Sequence, residues 1–319
     1  MIQLDNVTKL YKTVIGVNEI TLTLEPGTYG LLGPNGSGKT TLINLILGQL
    51  RPTIGQVRLF GENPWTRDRL MRRVGLCPAH EVNYPRVTGL EWVTYLVQLH
   101  GFSKPAAGKL AIEALEKVKM THAMHRPMRN YSLGMRQRAK LAQAIAHDPD
   151  LLILDEPFNG LDPIGRNDVK NMLQYWQQQG RSLIIASHVL HEVEAVNPSF
   201  LLISGGRLLA SGSPEDVRSI LANAPSTLRI RTDKPRDLMR KVAELSVVDG
   251  VRFIQAGKNE SEYVEIDTRS SVGLLDELPA ILADQGIKIF EIQSADDSLK
   301  HLFSTLMRIH RGETKGGLE

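Results

Sequence analysis

The sequence predicts an α/β protein: a parallel sheet covered by helices and built on a phosphate-binding loop, followed by a small α+β domain of ferredoxin-like order. Three observations predict it. Apolar, strand-like runs alternate with helical periodicity over roughly residues 1–220. Residues 33–40 read Gly-Pro-Asn-Gly-Ser-Gly-Lys-Thr, the G-x-x-x-x-G-K-[ST] pattern of a P-loop, set between an apolar run and a helical stretch. Beyond residue 225 the order of elements becomes βαββαβ.

Residues 2–8 and 17–25 alternate apolar and polar positions and are read as two strands joined by a loop that carries Tyr11. Pro26-Gly27 turns the chain into the P-loop strand, 28–32. In the loop, Gly33, Gly36 and Gly38 allow a backbone curl that brings many N–H donors around a polyphosphate, with Asn35 and Ser37 between them. The helix over 41–47 adds unpaired N–H groups and the positive end of its dipole. Lys39 brings a charge to the β- and γ-phosphates, and the hydroxyl of Thr40, beside Thr41, is a ligand for Mg²⁺. Gly48 stops the helix, residues 51–55 turn, and 56–60 and 73–77 are short strands, the second ended by Pro78.

Residues 85–147 form a helical subdomain, with Leu90, Val93, Leu96 and Val97, then Leu110, Leu115 and Val118, recurring at three and four. Leu90, Trp92, Val93 and Tyr95 exceed what one helix face buries, which leaves two readings, a surface within residues 79–130 that docks a partner chain or packing into the helical core. Ser132 is placed to cap a helix over 133–147, whose Arg136, Arg138 and Lys140 are read mainly as a solvated face. Residues 151–154 are continuous aliphatics, the mark of a strand covered on both sides, and end at Asp155-Glu156-Pro157. A helix follows Pro163, a second buried strand over 182–186 ends at Ser187-His188, and 200–204 with 207–211 form a hairpin turning at Gly205-Gly206.

A composition change at residues 223–226 marks a domain boundary, giving a first domain over 1–222, a second over 226–310 and a polar tail over 311–319. The second has strands near 228–231, 251–255, 263–267 and 288–292, and helices over 236–245, 272–285 and 298–310.

Composition excludes several classes. At 42% hydrophobic and 23% charged over 319 residues, the chain has the make-up of one large or two medium globular domains. A net charge of +3 without a basic stripe argues against nucleic acid as a partner. The single Cys77 rules out an intramolecular disulfide and fits a reducing compartment. No apolar run is long enough to span a bilayer and no signal peptide is read, so work at a membrane requires another chain to cross it.

In an open α/β sheet, ligands bind at the carboxyl ends of strands. Three buried strands end at Gly33, at Asp155-Glu156 and at Ser187-His188, which directs all three onto one crevice. Asp155 reads as a Walker B aspartate that holds Mg²⁺ directly or through water. Glu156 is the candidate base for an attacking water, and His188 the candidate donor to a γ-phosphate.

These motifs, in this order, resemble the ATP-binding subunit of an ABC transporter over roughly residues 1–220. In that resemblance Tyr11 matches the aromatic that stacks on adenine. Residues 131–137, Tyr-Ser-Leu-Gly-Met-Arg-Gln, resemble the signature, Gly160-Leu161-Asp162 the D-loop and His188 the switch histidine. The resemblance implies an ATPase using ATP and Mg²⁺. It implies two subunits, alike or paralogous, paired head to tail, so that Ser132 and Gly134 of one reach the nucleotide of the other. It further implies a transmembrane permease as partner and a place on the cytoplasmic face of the membrane. The Ser-Leu-Gly-Met form resembles a subset of bacterial exporters of drugs, peptides or lipids, so export is the expected direction.

One departure stands out: Ala79 occupies the position of the family's Q-loop glutamine, leaving water, His80 or Glu81 to fill the gap, with slower turnover. A soluble ATPase of ribosomes or DNA is the alternative, disfavoured by the single cassette and the absence of heptads. A catalytically weak nucleotide-binding module is the third reading, raised by Ala79.

Overall fold

Alternation at the start of the chain, interrupted by register shifts between Leu4 and Leu10, produces a long hairpin, β1 (Ile2–Tyr11) and β2 (Val14–Leu24), with Tyr11 paired to Val14 across the turn. The strands run further than the sequence pattern indicates, and Tyr11 ends β1 rather than sitting in a loop. The reason is physical. Apolar periodicity reports burial, and the hairpin tip has none: Leu10, Tyr11, Val14 and Ile15 are all exposed, while the backbone pairing continues.

The molecule is described by a computed structural model over residues 1–82, 84–194, 196, 199–213, 216, 226–254 and 262–294. It divides into two compact units, Met1–Ser213 and Pro214–Glu319.

In the first unit β3 (Thr28–Leu32) leads through the P-loop into α1 (Lys39–Ile46), and β4 (Ile54–Leu59) returns to pair with β1 in a three-stranded sheet of order β2-β1-β4. Then come β5 (Val74–Cys77), α2 (Gly89–Leu99), α3 (Lys104–Lys117) and α4 (Leu133–Ile145). They are followed by β6 (Leu151–Asp155), α5 (Pro163–Gln178), β7 (Ser182–Ser187), α6 (Leu190–Glu194), β8 (Ser199–Ser204) and β9 (Arg207–Gly212). The main sheet has the order β5-β6-β7-β3-β8-β9, parallel except for β9. Every residue of β6 and β7 is buried, as strands covered on both faces must be. One apolar cluster joins the two sheets through α1: Ile2, Leu4 and Ile20 from the hairpin, Leu42 and Ile46 from α1, and Leu31, Ile153 and Ile184 from the main sheet.

In the helical segment, α2 starts with a capping box between Thr88 and Glu91. Trp92, Val93 and Val97 are buried, whereas Tyr95 and Leu99 face outward. The expectation of a solvated face for Arg136, Arg138 and Lys140 fails. Lys140 is 3% exposed, Arg138 donates to the carbonyl of Val118 (3.0 Å) and to Asp168 (3.1 Å), and Arg136 donates to the carbonyl of Tyr131 (2.7 Å). Charge on a helix is solvated only where no neighbouring element offers acceptors, and α4 is surrounded by them.

The second unit comprises β10 (Ser226–Thr232), α7 (Pro235–Val242), β11 (Val248–Ile254), β12 (Tyr263–Thr268), α8 (Ser271–Gln285) and β13 (Ile289–Ser294). Its sheet is antiparallel with the order β11-β12-β10-β13, the ferredoxin-like arrangement. Leu228, Ile230, Val264 and Ile266 of the sheet pack on Leu238, Val242, Leu274 and Leu278 of the helices. The expected turn near residue 257, the helix over 298–310 and the tail lie outside the described residues.

Candidate nucleotide-binding and catalytic site

The carboxyl ends of β6, β7 and β3 are neighbours, and their residues interlock. The N–H of Gly33 donates to the carbonyl of Ser187 (3.3 Å), and the N–H of Glu156 donates to the carbonyl of Ala186 (2.9 Å). Thr40 Oγ1 donates to Asp155 Oδ2 (2.8 Å). His188 Nδ1 lies 2.8 Å from Glu156 Oε1, and Ser187 Oγ donates to Glu156 Oε2 (3.3 Å). Glu156 holds a left-handed backbone, φ 53°, uncommon for a residue with a side chain.

The P-loop is shaped to close around something small. Gly36 and Gly38 have φ of 78° and 106°. A Cβ on Gly33 would lie 2.3 Å from the carbonyl oxygen of Ile203 and 2.5 Å from Ser37 Oγ, so only glycine fits. Lys39 Nζ is folded back onto the carbonyls of Gly33 (2.6 Å) and Pro34 (3.1 Å). Burial lowers the pKa of Lys39, and the carboxylates of Glu156 and Asp155 oppose that shift. Asp155 is pushed the other way: burial raises its carboxyl, with the Thr40 hydrogen bond working against it.

The crevice so formed measures about 350 Å³. Tyr11 and Ile15 of the hairpin, the loop residues from Asn35 through Thr41, Ala79, Asp155 and Glu156 line it. His188 stands behind Glu156 rather than among these lining groups. Ser37 Oγ is buried and has no partner among the described residues, a donor left aimed into the loop. That orphan hydroxyl, the cradle at Gly33 and the paired Thr40 and Asp155 fit a polyphosphate with its divalent cation.

Ser132, Gly134 and Asp162 do not line this crevice. Ser132 caps α4, accepting from the N–H of Met135 (3.2 Å), and Asp162 caps α5, accepting from the N–H of Gly165 (2.8 Å). The two caps are packed together: the Leu133 side chain lies over Gly160, where a Cβ would come within 2.3 Å of its Cγ. His80 and Glu81 do not fill the place left by Ala79. Glu81 is 3.5 Å from Arg136 Nε, and His80 lines a separate cavity of about 340 Å³ with His100 and His147.

Sequence reasoning missed two polar residues. Gln137 Nε2 donates to the carbonyls of Pro157 (2.9 Å) and Glu156 (3.4 Å) and approaches Cys77 Sγ (3.7 Å). Lys140 Nζ donates to the carbonyls of Pro78 (2.8 Å), Ala79 (3.4 Å) and His80 (3.1 Å). The available signal was position: both fall on the buried stripe of α4 that includes Leu141, Ala144 and Ile145. Cys77 is buried, its thiol pushed up to about 12 by burial, which leaves it unreactive.

A strand, a glycine loop that only glycine can build and a helix, with a carboxylate pair at the end of a neighbouring strand, define a P-loop nucleoside triphosphatase. Comparison with known proteins narrows the class. Residues 17–159 match the ABC transporter family. The chain is 33% identical over 292 residues to the uncharacterized ABC transporter ATP-binding protein YdbJ of Bacillus subtilis, covering 91% of this chain and 89% of that one. It is 34% identical over 321 residues to the bacitracin transport ATP-binding protein BcrA of Enterococcus faecalis, covering 96% of each. In fold it is similar to a dimeric bacterial ABC transporter cassette, with a TM-score of 0.62 at 23% identity, covering 67% of this chain and 98% of that one. The chain belongs to the ABC transporter ATP-binding proteins. It is an ATPase subunit that drives transport through a separate permease. Among the described residues no helix is long and apolar enough to cross a membrane.

Proposed function

We propose that the chain works as a head-to-tail dimer on the cytoplasmic face of the membrane and drives export of a drug, peptide or lipid-like cargo. The observation that carries the dimer is the separation of the predicted nucleotide contacts into two groups. Tyr11 and the P-loop share one crevice, while Ser132, Gly134 and Asp162 lie at the capped ends of α4 and α5 outside it. A second copy brings its own pair of caps to that crevice and completes it. Export is supported by full-length similarity to the bacitracin transport protein. A Nod factor export ATP-binding protein of Burkholderia lata, 35% identical over 235 residues, covers 70% of this chain and 77% of its own length.

The roles follow from geometry. Gly33, Gly36, Ser37 and Gly38 wrap the phosphates with backbone and hydroxyl donors, and Lys39 exchanges its two carbonyl partners for phosphate oxygens. Thr40 and Asp155 are the residues that would hold Mg²⁺, which neutralises charge on the β- and γ-oxygens when bound. Glu156 accepts the proton of the attacking water. His188, with Nδ1 2.8 Å from Glu156 Oε1, holds that carboxylate in place; a neutral ring donates through only one nitrogen, so donation to the γ-phosphate from Nε2 requires the ring to carry both protons. Tyr11 and Thr41 complete the nucleotide contacts.

The test is Glu156→Gln in the purified chain with ATP and Mg²⁺. Hydrolysis should fall by about 100-fold or more, and light scattering should report a stable dimer that disappears without nucleotide. A variant that stays monomeric at saturating ATP refutes the head-to-tail reading.

A further inference from the structure

Ala79 lines the nucleotide crevice with no polar side chain to offer it, and neither His80 nor Glu81 turns back to it. What holds that turn is on the other side. Lys140 Nζ meets the carbonyls of Pro78, Ala79 and His80 at 2.8, 3.4 and 3.1 Å, three acceptors for the three hydrogens of one ammonium. The side chain is 3% exposed. A buried ammonium is a costly way to fill space that methionine or leucine would fill well, so its value lies in the hydrogen bonds. Across a planar trans peptide the C=O and the next N–H point in opposite directions. Drawing the carbonyls of 78 and 79 toward α4 therefore turns the N–H groups of Ala79 and His80 away from it. One turn earlier on the same helix, Gln137 grips the carbonyls of Glu156 and Pro157.

We propose that Lys140 is a positioning residue for ATP hydrolysis: it clamps the 78–80 turn to α4, so that the crevice wall is set by oriented backbone where the family uses a glutamine side chain. With Gln137 it makes one rigid helix the common mount for the Ala79 wall and the Glu156 base. The N-cap of that helix is Ser132, so the helix that fixes one crevice also presents the cap offered to the partner's nucleotide. This last step rests on the head-to-tail reading; the clamp itself does not.

The experiment measures steady-state ATP hydrolysis and equilibrium ATP binding in the full chain for wild type, Lys140→Met and Lys140→Met with Ala79→Gln. Lys140→Met should lower kcat by about 10- to 100-fold, the loss typical of a slightly misplaced catalytic wall. KM and ATP affinity should stay within about threefold of wild type. Restoring an amide side chain at 79 should recover much of the lost rate, which repair of a mere packing defect would not do. Lys140→Gln, which keeps two donors, should lie between wild type and Lys140→Met, and it carries the test if Lys140→Met does not fold. Wild-type kcat in a folded Lys140→Met, loss of ATP binding together with rate, or no recovery with Ala79→Gln each overturns the proposal. Glu156→Gln separates the two readings. If hydrolysis survives Glu156→Gln, the assignment of the base is wrong; if it is lost there and intact in Lys140→Met, only the clamp is.

Discussion

Buried His147, stacked on half-buried His100 beside the 78–80 turn, makes acid a selective stress on this fold. His147 is 7% exposed, its ring stacked on His100 with centroids 3.7 Å apart and planes 10° from parallel, and its Nε2 lies 3.0 Å from the carbonyl of Val74. Burial first, and the His100 ring second, depress its pKa from 6.5 to about 4, against the pull of the Val74 carbonyl. The folded value lies below the unfolded one, so the unfolded chain binds the extra proton between those two pH values. The contribution is therefore fully present above about pH 6.5 and is lost as pH falls toward 4. Each tenfold difference in proton affinity between the two states is worth about 1.4 kcal/mol, so the whole loss is about 3 kcal/mol, of which about 2 kcal/mol has gone by pH 5. All three tryptophans, Trp65, Trp92 and Trp176, lie in the first unit, so their fluorescence in urea reports its unfolding. Wild type and His147→Gln should be compared at pH 7 and pH 5. The stability of wild type relative to the variant should drop by about 2 kcal/mol over that interval, a melting shift of about 4–8 °C for a unit of this size. Parallel pH dependences in the two proteins would refute the assignment of a buried neutral imidazole.

Other perturbations read different parts of the site. Gly33→Ala places a Cβ against the Ile203 carbonyl and Ser37 Oγ, and overpacking of about 1–3 kcal/mol should weaken ATP affinity measured by calorimetry. Gln137→Met keeps the volume but leaves the Pro157 and Glu156 carbonyls without their donor, a cost of about 1–3 kcal/mol that urea unfolding at pH 7 measures. Removing Mg²⁺ with a chelator should abolish hydrolysis while leaving the melting temperature of the nucleotide-free chain unchanged, since Thr40 and Asp155 already satisfy each other.

Much of the site was legible because its chemistry is written in contiguous residues. Gly33 through Thr40 needs only local backbone freedom, and the aliphatic run before Asp155 marks a strand buried on both faces whatever its neighbours are. The misreadings share another cause. Tyr11 sits where pairing continues without burial, so periodicity is silent there. Lys140 and Gln137 are charged or polar residues whose acceptors come from turns near 79 and 157; their place on the buried stripe of α4 marks them as inward-facing, but nothing within α4 names those acceptors. Glu156 likewise combines a left-handed backbone with a bond from its N–H to the Ala186 carbonyl on the neighbouring strand, a contact no local pattern shows.

The sequence by itself determined the phosphate loop, the carboxylate pair, the histidine and the two kinds of domain, because each rests on residue type and short-range periodicity. Only the tertiary structure decided that β7 lies between β6 and β3, bringing Ser187 into contact with both Gly33 and Glu156. Only it showed that α4 is tied to both walls of the crevice. Strand order and side-chain burial are set by contacts between segments far apart in the chain, and no local pattern carries that information.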